Sequence, residues 1–465
     1  MADDDNDEIF EDAEDNAGII SDADRVDDEA QPAMEESPNS IAINPSANDL
    51  NDLNAFQAET AESQTTLMLE AAGVEGFLEK YKKTRKQRRS ELPMADIKVS
   101  PSFWSVMKNS IGKDLSKIAM PIDFNEPLSL LQRLVEDFEY ASMLDRASAS
   151  DNPFERLAFV AAFSLTAYAT SEGRTGKPFN PLLGETYECV REDRGRGWRY
   201  LSEQVSHHPP ISACHCDAPE WECWQEYRLG SKFRGQYLKV NPEGPVHLKL
   251  KMHGEHYSWT KPVTTIHNMI VGKLWIDHEG EITVRNHLTG DRAVLTIQPW
   301  HVVGKDFKNV RGGVFDHRGN KVMTISGTWD GSLVASPVDQ PKRTIELWKV
   351  VPRRSNSIRS YFGFTDFSMQ LNELEPGLCP TDSRLRPDQR LMEVGDLANG
   401  TQEKLRLEEK QRAARRQREV AQQPWIPKWF TRRADRDTKE VLWVYRGGYW
   451  DAKQSGQFGA TPNIF

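Results

Sequence analysis

The feature that most constrains the fold is a long run of short segments between residues 175 and 350 in which apolar and polar residues alternate. The alternation is clear over 246–250, and it continues through the segments KLWID, EITVRNH, RAVLTIQPW, KVMTISGTW and RTIELWKV, which are separated by turn signals at 277–280, 289–291 and 318–320. This pattern, uninterrupted by helices, predicts an antiparallel sandwich or barrel. A barrel of more than about ten strands is too wide for its own side chains to fill, so it would enclose a cavity.

Helical periodicity lies on both sides of this region. Apolar stretches within 120–170 predict buried helices, and residues 66–97 predict a short amphipathic helix followed by a basic linker. Near the other end, the segment that starts at Asn399 predicts a highly charged helix, with Asn399 as its cap and Pro424 as its stop. The expected fold class is therefore mainly β with α.

The charge of the chain is divided unevenly. Residues 1–60 hold 19 acidic residues and one basic residue, a net charge of −18; subtracting this from the chain total of −11 leaves +7 for the remainder. We expect residues 1–65 to be a disordered acidic tail, because they contain too few apolar residues to offset the entropy of ordering. A mildly basic remainder suits an anionic partner without requiring one.

The targeting signals and the cysteines indicate the cellular compartment. The N-terminus has no basic and apolar regions of a signal peptide, and no run of eighteen apolar residues predicts a membrane span. Five cysteines without regular pairing indicate reduced thiols, which are typical of the cytosol. We expect a cytoplasmic protein.

An amphipathic segment precedes the first buried helices. Its apolar residues recur at steps of three and four with lysines between them, and they are Phe103, Trp104, Met107, Ile111 and Leu115. Such a segment fits a core helix, a surface helix lying on lipid, or a cover over an apolar cavity.

The stretch EQVSHHPP, residues 203–210, is the most specific local feature. Zinc is one interpretation, because several cysteines and histidines lie nearby, but no two of them have the spacing of a zinc motif, so we expect no metal. Catalysis is another, but no serine elbow or His-Glu-x-x-His pattern is present, so we expect no catalytic residues. A third is anion binding, because protonated histidines donate charge-assisted hydrogen bonds to phosphate. A purely structural role remains open at this point.

Other polar residues accompany the histidine pair. Lys177 and Asn180 lie in GKPFNPLLGETYE ahead of it, and Lys404, Glu408 and Arg412 repeat every four residues on the charged helix. Taken alone, the helical triplet is explained by solvent-facing ion pairs.

The combined motifs resemble those of the oxysterol-binding protein-related lipid-transfer proteins. The resemblance rests on seven features that occur in that family's order along the chain: MPIDFNEPLSLLQRL, KPFNPLLGE, EQVSHHPP, LNELEPG, PTDSRLRPDQR, the Lys404/Glu408/Arg412 helix and the closing WF…VLWVYRGGYW…F. It covers residues 98–465. The chain is similar to the short type, without a pleckstrin-homology domain or ankyrin repeats.

The resemblance implies a large incomplete antiparallel β-barrel around an apolar tunnel. By position it assigns an N-terminal lid to 101–117, helices to 120–170, the barrel to 175–350 and a C-terminal helical subdomain to 365–465. The tunnel would hold a sterol or, alternately, a phosphoinositide. The residues carried over to the headgroup site are Lys177, Asn180, His207, His208, Lys404, Glu408 and Arg412. No cofactor is implied.

In the acidic tail, IFEDAED (9–15) resembles an FFAT motif, which binds VAP proteins of the endoplasmic reticulum. Phe10, Asp12 and Ala13 match its critical positions, whereas Glu11 replaces the second aromatic residue and Ile9 replaces the leading acidic residue.

We therefore expect a non-enzymatic protein that exchanges sterol for phosphoinositide between anionic membrane surfaces, at endoplasmic reticulum contact sites. It would associate peripherally with these membranes and bind no nucleic acid. The alternative is a lipid-dependent sensor or scaffold in which bulk transfer is incidental.

Overall fold

The computed structural model describes residues 88–93, 121–269, 273–300, 307–354 and 362–465. The expected lid at 101–117 and the FFAT-like motif around Phe10 lie outside these residues. Within them the chain is mainly β with α, as expected.

The helices of the described residues come before and after a large sheet in the sequence. Four short 3-10 segments accompany them, at Ile122–Phe124, Val135–Phe138, Ala167–Ser171 and Ser383–Leu385. The α-helices are α1 (Leu130–Leu134), α2 (Ser142–Ala149), α3 (Pro153–Thr166), α4 (Asp366–Gln370), α5 (Pro387–Glu393), α6 (Leu397–Val420) and α7 (Tyr449–Ser455). None of the described helices is long and apolar enough to cross a bilayer.

Eighteen strands are described. A two-stranded parallel sheet pairs β1 (Asn125–Ser129) with β2 (Lys177–Phe179), and an antiparallel hairpin pairs β17 (Phe430–Ala434) with β18 (Val441–Tyr445). The large antiparallel sheet contains β3 (Thr186–Arg191), β4 (Trp198–His207), β5 (Pro210–Asp217), β6 (Trp221–Phe233), β7 (Tyr237–Glu243), β8 (Pro245–Leu250), β9 (Glu255–Thr260), β10 (Val263–His267), β11 (Trp275–Asn286), β12 (Arg292–Ile297), β13 (Asn309–Phe315), β14 (Lys321–Thr328), β15 (Ser332–Pro337) and β16 (Ile345–Lys349).

The large sheet runs in the order β16-β15-β14-β13-β12-β11-β10-β7-β6-β5-β4-β3, and β8 and β9 fill a second bridge between β6 and β11. Strands β7 and β8 pair with successive parts of β6, so they are one long strand interrupted at Gly244. Gly244 has φ +95°, and a Cβ there would lie 2.0 Å from the carbonyl oxygen of Glu226. Only glycine fits this break.

The two ends of the sheet, β3 and β16, do not pair with each other within the described residues, which makes the expected barrel incomplete. Other elements cover both edges. Arg146 of α2 donates to the carbonyl oxygens of Glu346 (2.8 Å) and Leu347 (2.9 Å) on β16. On β3, Arg384 donates to the carbonyl oxygen of Glu188 at 3.0 Å. Covered edges cannot pair with another chain.

Helix α3 is buried on all its sides, which agrees with its mostly apolar sequence. Every residue from Arg156 to Thr166 is buried, and the helix packs with the interior face of the sheet in one hydrophobic core. Its start is well defined: the Asn152 side chain accepts from the N–H groups of Phe154 and Glu155, and Pro153 occupies the first turn.

Two local predictions were wrong. The turn predicted at 277–280 lies inside β11, so KLWID and EITVRNH form one strand. Asp277 and His278 are buried there, and the ring nitrogens of His278 lie 2.7 Å from Ser171 Oγ and 3.0 Å from Thr264 Oγ1.

The charged helix was predicted to begin at Asn399, but α6 begins at Leu397. Asp396 is its cap, and the Asp396 carboxylate accepts from the N–H of Asn399 at 3.2 Å. The carboxylate of Asp396 therefore takes the capping role assigned to the amide of Asn399.

Candidate functional site

The histidine pair lies at the tip of the β4–β5 hairpin. His207 is opposite Pro210 in the strand pairing, so the turn consists of His208 and Pro209 alone, and the His208–Pro209 bond is cis. The two imidazole rings are perpendicular, with centroids 4.9 Å apart. His208 is exposed and His207 is partly buried. We refer to His207 and His208 as the rim pair.

A β-bulge precedes the rim pair. The β4–β5 register shifts between Gln204 and Ser206, which inserts one extra residue into β4 and re-aims the side chains beyond it. Gln204 braces the bulge, because its Nε2 donates to the Ser206 carbonyl (2.9 Å) and its Oε1 accepts from Ser212 Oγ (2.5 Å).

The first residue of EQVSHHPP has a separate structural task. The buried Glu203 carboxylate accepts from the backbone N–H groups of Lys428 and Trp429, both at 2.8 Å. Burial raises the pKa of Glu203 to about 7, although these N–H groups oppose the shift. Glu203 thus fastens the C-terminal segment to the strand that carries the rim pair.

The KPFNPLLGE loop is fixed beside the same hairpin. The N–H of Gly184 donates to the carbonyl of Gln204 at 2.9 Å. The Glu185 carboxylate accepts from Leu182 N (2.9 Å), Ser383 Oγ (2.6 Å) and Arg386 (3.0 Å). Loop and hairpin are therefore held in one arrangement before any ligand arrives.

Gln411 of α6 joins the loop to the rim pair. Its Oε1 accepts from Leu183 N at 2.8 Å, and its Nε2 donates to His207 Nε2 at 2.7 Å. This bond assigns the proton of neutral His207 to Nδ1. Sequence reasoning missed Gln411, yet it stands seven residues after Lys404 and so lies on the same side of the helix.

The other predicted rim residues have varied positions. Lys177 is half-buried on β2, and the exposed Asn180 follows in the same loop. On α6, Lys404 Nζ pairs with Glu408 Oε1 at 2.5 Å, whereas the exposed Arg412 pairs with Glu409 at 2.9 Å. The structure thus brings the Asn180 loop, the rim pair and α6 together, and it shows Arg412 paired on its own helix.

Arg386 supplies a permanent charge that sequence reasoning also missed, although PTDSRLRPDQR contains it. Its guanidinium is buried and forms two bonds to Asp388 (2.7 and 2.9 Å), and a further nitrogen donates to the carbonyl of Asn180 at 2.7 Å. It thereby holds the loop that carries Asn180.

Positive groups surround His207. Burial, together with repulsion from His208, Arg386 and Arg415, lowers the pKa of His207 to about 4, and the carbonyl of Pro181 opposes this shift. Without a ligand His207 is therefore neutral at pH 7. A bound anion would favour the protonated form and would meet cations already in place. Chemically, this rim suits a phosphate.

A cavity lies between the helices and the interior face of the sheet. It has room for about one water molecule, about 10 Å³, so it would have to widen before it could hold a lipid. Its wall is mostly apolar, formed by residues such as Phe138, Phe163, Val246 and Trp259. The polar exceptions are Asp137, Ser164, Gln225 and Lys261. Lys261 Nζ lies 2.5 Å from Asp137 Oδ2. A mostly apolar wall with a few polar groups suits an apolar ligand that carries a hydroxyl.

The cysteines considered for zinc are part of this interior. Cys214, Cys216 and Cys223 are buried, unpaired thiols, and Cys214 and Cys223 line the cavity. Burial raises the pKa of Cys214 to about 11, so its thiol stays protonated at pH 7. His215 belongs to the other face of β5, where its ring lies 5.1 Å from that of Tyr445.

Mammalian proteins with known family names have sequences similar to this one. Oxysterol-binding protein 2 from Mus musculus is 42% identical over 394 residues, covering 79% of this chain and 43% of the relative. Oxysterol-binding protein-related protein 6 from Homo sapiens is 42% identical over 386 residues, covering 82% and 41%. This chain therefore matches less than half the length of either.

Solved structures share the fold. The Osh1 ORD domain in complex with cholesterol has a TM-score of 0.76 at 32% identity, covering 87% of this chain and 99% of that one. The Osh3 ORD in complex with PI(4)P from Saccharomyces cerevisiae has a TM-score of 0.70 at 32% identity, covering 82% and 99%. Residues 102–454 match the family model described as oxysterol-binding protein. The chain belongs to the oxysterol-binding protein family.

Proposed function

We propose that the chain is a non-enzymatic lipid carrier that binds a sterol and exchanges it for a phosphoinositide between membranes. The observation that carries the proposal is the rim itself, where His207 contacts Gln411 of α6 and is repelled electrostatically by Arg386 and Arg415 when it is protonated. The related Osh1 and Osh3 domains in complex with cholesterol and PI(4)P support both ligand classes.

The ligands would divide the site between them. A sterol, or the acyl chains of a phosphoinositide, would widen and fill the cavity between the helices and the sheet, which now has room for about one water molecule, and the headgroup would lie at the rim. His207 and His208 would bind phosphate, with Lys177, Asn180, Lys404 and Arg412 around it. Glu408 would accept from inositol hydroxyls and orient the bases. Headgroup binding requires Arg412 to exchange its Glu409 partner for the ligand.

A carrier must cover its cargo. A sterol that exposes roughly 400 Å² of apolar surface to water costs about 10 kcal/mol at about 25 cal/mol per Å². We propose that residues 101–117 form the cover, with Phe103, Trp104, Met107, Ile111 and Leu115 toward the cargo. Deleting these residues is expected to abolish sterol extraction from liposomes; retained extraction would refute this role.

The acidic tail would determine which membrane the protein binds. Residues around Phe10, Asp12 and Ala13 would bind VAP proteins on the endoplasmic reticulum. The chain from Asp15 to Arg88, which is held by Glu373 and Glu375, would reach roughly 50 Å as a flexible coil toward a second anionic membrane. Phe10→Ala is expected to abolish capture by a purified VAP domain, whereas Phe56→Ala, in the same tail, should leave capture unchanged. Equal capture by both variants would remove this part of the proposal.

The central experiment is two-way transfer between liposomes, with a fluorescent sterol in one population and a phosphoinositide in the other. The double variant His207→Ala/His208→Ala should lose phosphoinositide transport and keep sterol binding, because only the headgroup touches the rim. Recovered lipids should be chemically unchanged by mass spectrometry. Wild-type binding without net transfer would favour a lipid sensor or scaffold, and converted lipid would favour an enzyme.

A further inference from the structure

A second group of histidines lies on the opposite face of the large sheet. His247 alternates along β8 with Val246 and Leu248, which belong to the core, so His247 points away from the cavity. His256 of β9 and His287, which follows β11, are beside it: the His256 ring centroid lies 5.2 Å from that of His247 and 5.0 Å from that of His287.

The turn between β17 and β18 covers these imidazoles with acidic residues. Asp437 Oδ2 lies 2.7 Å from His256 Nδ1, and Asp435 Oδ1 lies 3.9 Å from the same nitrogen. Glu440 Oε2 lies 3.6 Å from His247 Nε2. We call His247, His256, His287, Asp435, Asp437 and Glu440 the hairpin cluster.

Three groups of the hairpin cluster converge. One ligand atom from each of His247, His256 and Asp435 lies within 4.8 Å of the other two. Their side chains are 0%, 3% and 7% exposed, so water contributes little to holding them. Trp224 stacks on the rings of both His247 and His256, at interplanar angles of 7° and 28°, and fixes their orientation.

An unsatisfied atom points to a ligand. His247 Nδ1 lies 3.0 Å from His256 Nε2, but the buried His247 Nε2 has no hydrogen-bond partner within the described residues. A buried polar atom without a partner costs about 1–3 kcal/mol. The nearest carboxylate, Glu440, stands just beyond hydrogen-bond distance. The gap between imidazole and carboxylates is where a cation would be stabilised.

We propose that His247, His256 and Asp435 bind a divalent transition metal of the zinc class, with Asp437 or Glu440 as a further ligand. Neutral imidazole nitrogens and carboxylate oxygens are ligands that Zn²⁺ accepts at about 2.0–2.2 Å.

Binding requires a small contraction. Ligands of a tetrahedral zinc ion lie about 3.3 Å from one another, which follows from metal–ligand distances of about 2.0–2.1 Å. The moving part would be the β17–β18 turn, whose Asp437 and Glu440 side chains are 39% and 51% exposed. The metal would then join this turn to β8 and β9 and stabilise the C-terminal hairpin. This role is independent of lipid transfer.

The test is zinc titration of the full chain by calorimetry, in excess Mg²⁺ to occupy the acidic tail. One equivalent should bind. His247→Gln should weaken binding by at least about tenfold, as loss of a ligand does. Asp435→Asn should do the same without unfolding the turn, because Asn keeps the acceptor for Asp437 N and Thr438 N.

A matched control is His253→Gln, since His253 lies on the same part of the chain but bonds to the Ser148 carbonyl instead. Its zinc affinity should equal that of the wild type. Co²⁺ should give visible d–d bands without a thiolate charge-transfer band. The proposal is overturned by no stoichiometric zinc binding, by unchanged affinity in Asp435→Asn, or by thiolate bands that assign the metal to cysteines.

Discussion

The rim pair and the hairpin cluster use the same side chain in opposite surroundings. Burial lowers the pKa of His207 and of His247 to about 4 in both places. Around His207 the charged neighbours are Arg386 and Arg415, whereas His247 faces Asp435 and Glu440. The pKa values alone therefore do not separate the two sites.

The charged residues around each histidine distinguish the two sites. Imidazoles among guanidinium groups are prepared to share a proton with an anion, and imidazoles among carboxylates are prepared to share a cation with them. The difference teaches that a histidine motif has no fixed ligand. Residues distant in sequence determine whether it suits an anion or a cation: Arg386 and Arg415 of α6 in one case, and the β17–β18 turn in the other.

Removing the permanent charge at the rim should have the largest effect. Arg386→Met leaves the buried carboxylates of Asp388 and Glu185 without their cation, so unfolding free energy should fall by about 3–5 kcal/mol. Urea denaturation measures this. Arg412→Met, which breaks an exposed pair, should change it by less than about 0.5 kcal/mol. Equal losses would mean that Arg386 is no more important than a surface charge.

A carboxylate placed beside His207 should make the electrostatic surroundings of the rim pair resemble those of the hairpin cluster. Gln411→Glu keeps an acceptor for Leu183 N but places a carboxylate on His207, which should raise the pKa of His207 and weaken phosphoinositide binding by about tenfold. NMR titration and liposome binding give the two readouts. Gln402→Glu, exposed on the same helix, is the control; an equal loss there would show that only overall charge matters.

Proton uptake should accompany headgroup binding. Because the folded pKa of His207 is below its ordinary value of 6.5, the unfolded chain binds more protons between about pH 6.5 and 4, and His207 lowers stability as the pH falls through that window. A bound phosphate raises this pKa, so the complex gains up to one proton near pH 6. Calorimetry in buffers of different ionisation enthalpy counts it. His207→Gln should gain fewer protons and show a flatter stability curve; identical counts would contradict the assignment.

The variant with the smallest expected effect on stability, at Lys404, should still weaken phosphoinositide binding. Lys404→Met removes an i,i+4 ion pair, so unfolding free energy should fall by about 0.5 kcal/mol or less, while phosphoinositide affinity falls severalfold. Denaturation and liposome binding on the same preparation measure both. Zinc affinity should be unchanged, and a parallel loss of zinc binding would link two sites that we treat as separate.

The sequence predicted the sheet well because alternation has a direct structural cause: one face is buried. It failed at 277–280, where Asp277 and His278 read as a turn but are buried in β11. It found the rim pair through its motif, yet it missed Gln411 and Arg386, whose roles arise from contacts across some two hundred residues of sequence. The alternation placed His247 on a polar face but gave no sign that the turn at Asp435 covers it.

A crystal structure of the full chain with a bound phosphoinositide tests the central claim most directly. We predict phosphate oxygens of the inositol ring within about 2.7–3.2 Å of His207 and His208 nitrogens, with the acyl chains in the cavity beside Phe163 and Trp259. A headgroup bound away from the rim pair, or acyl chains outside the cavity, would contradict the account.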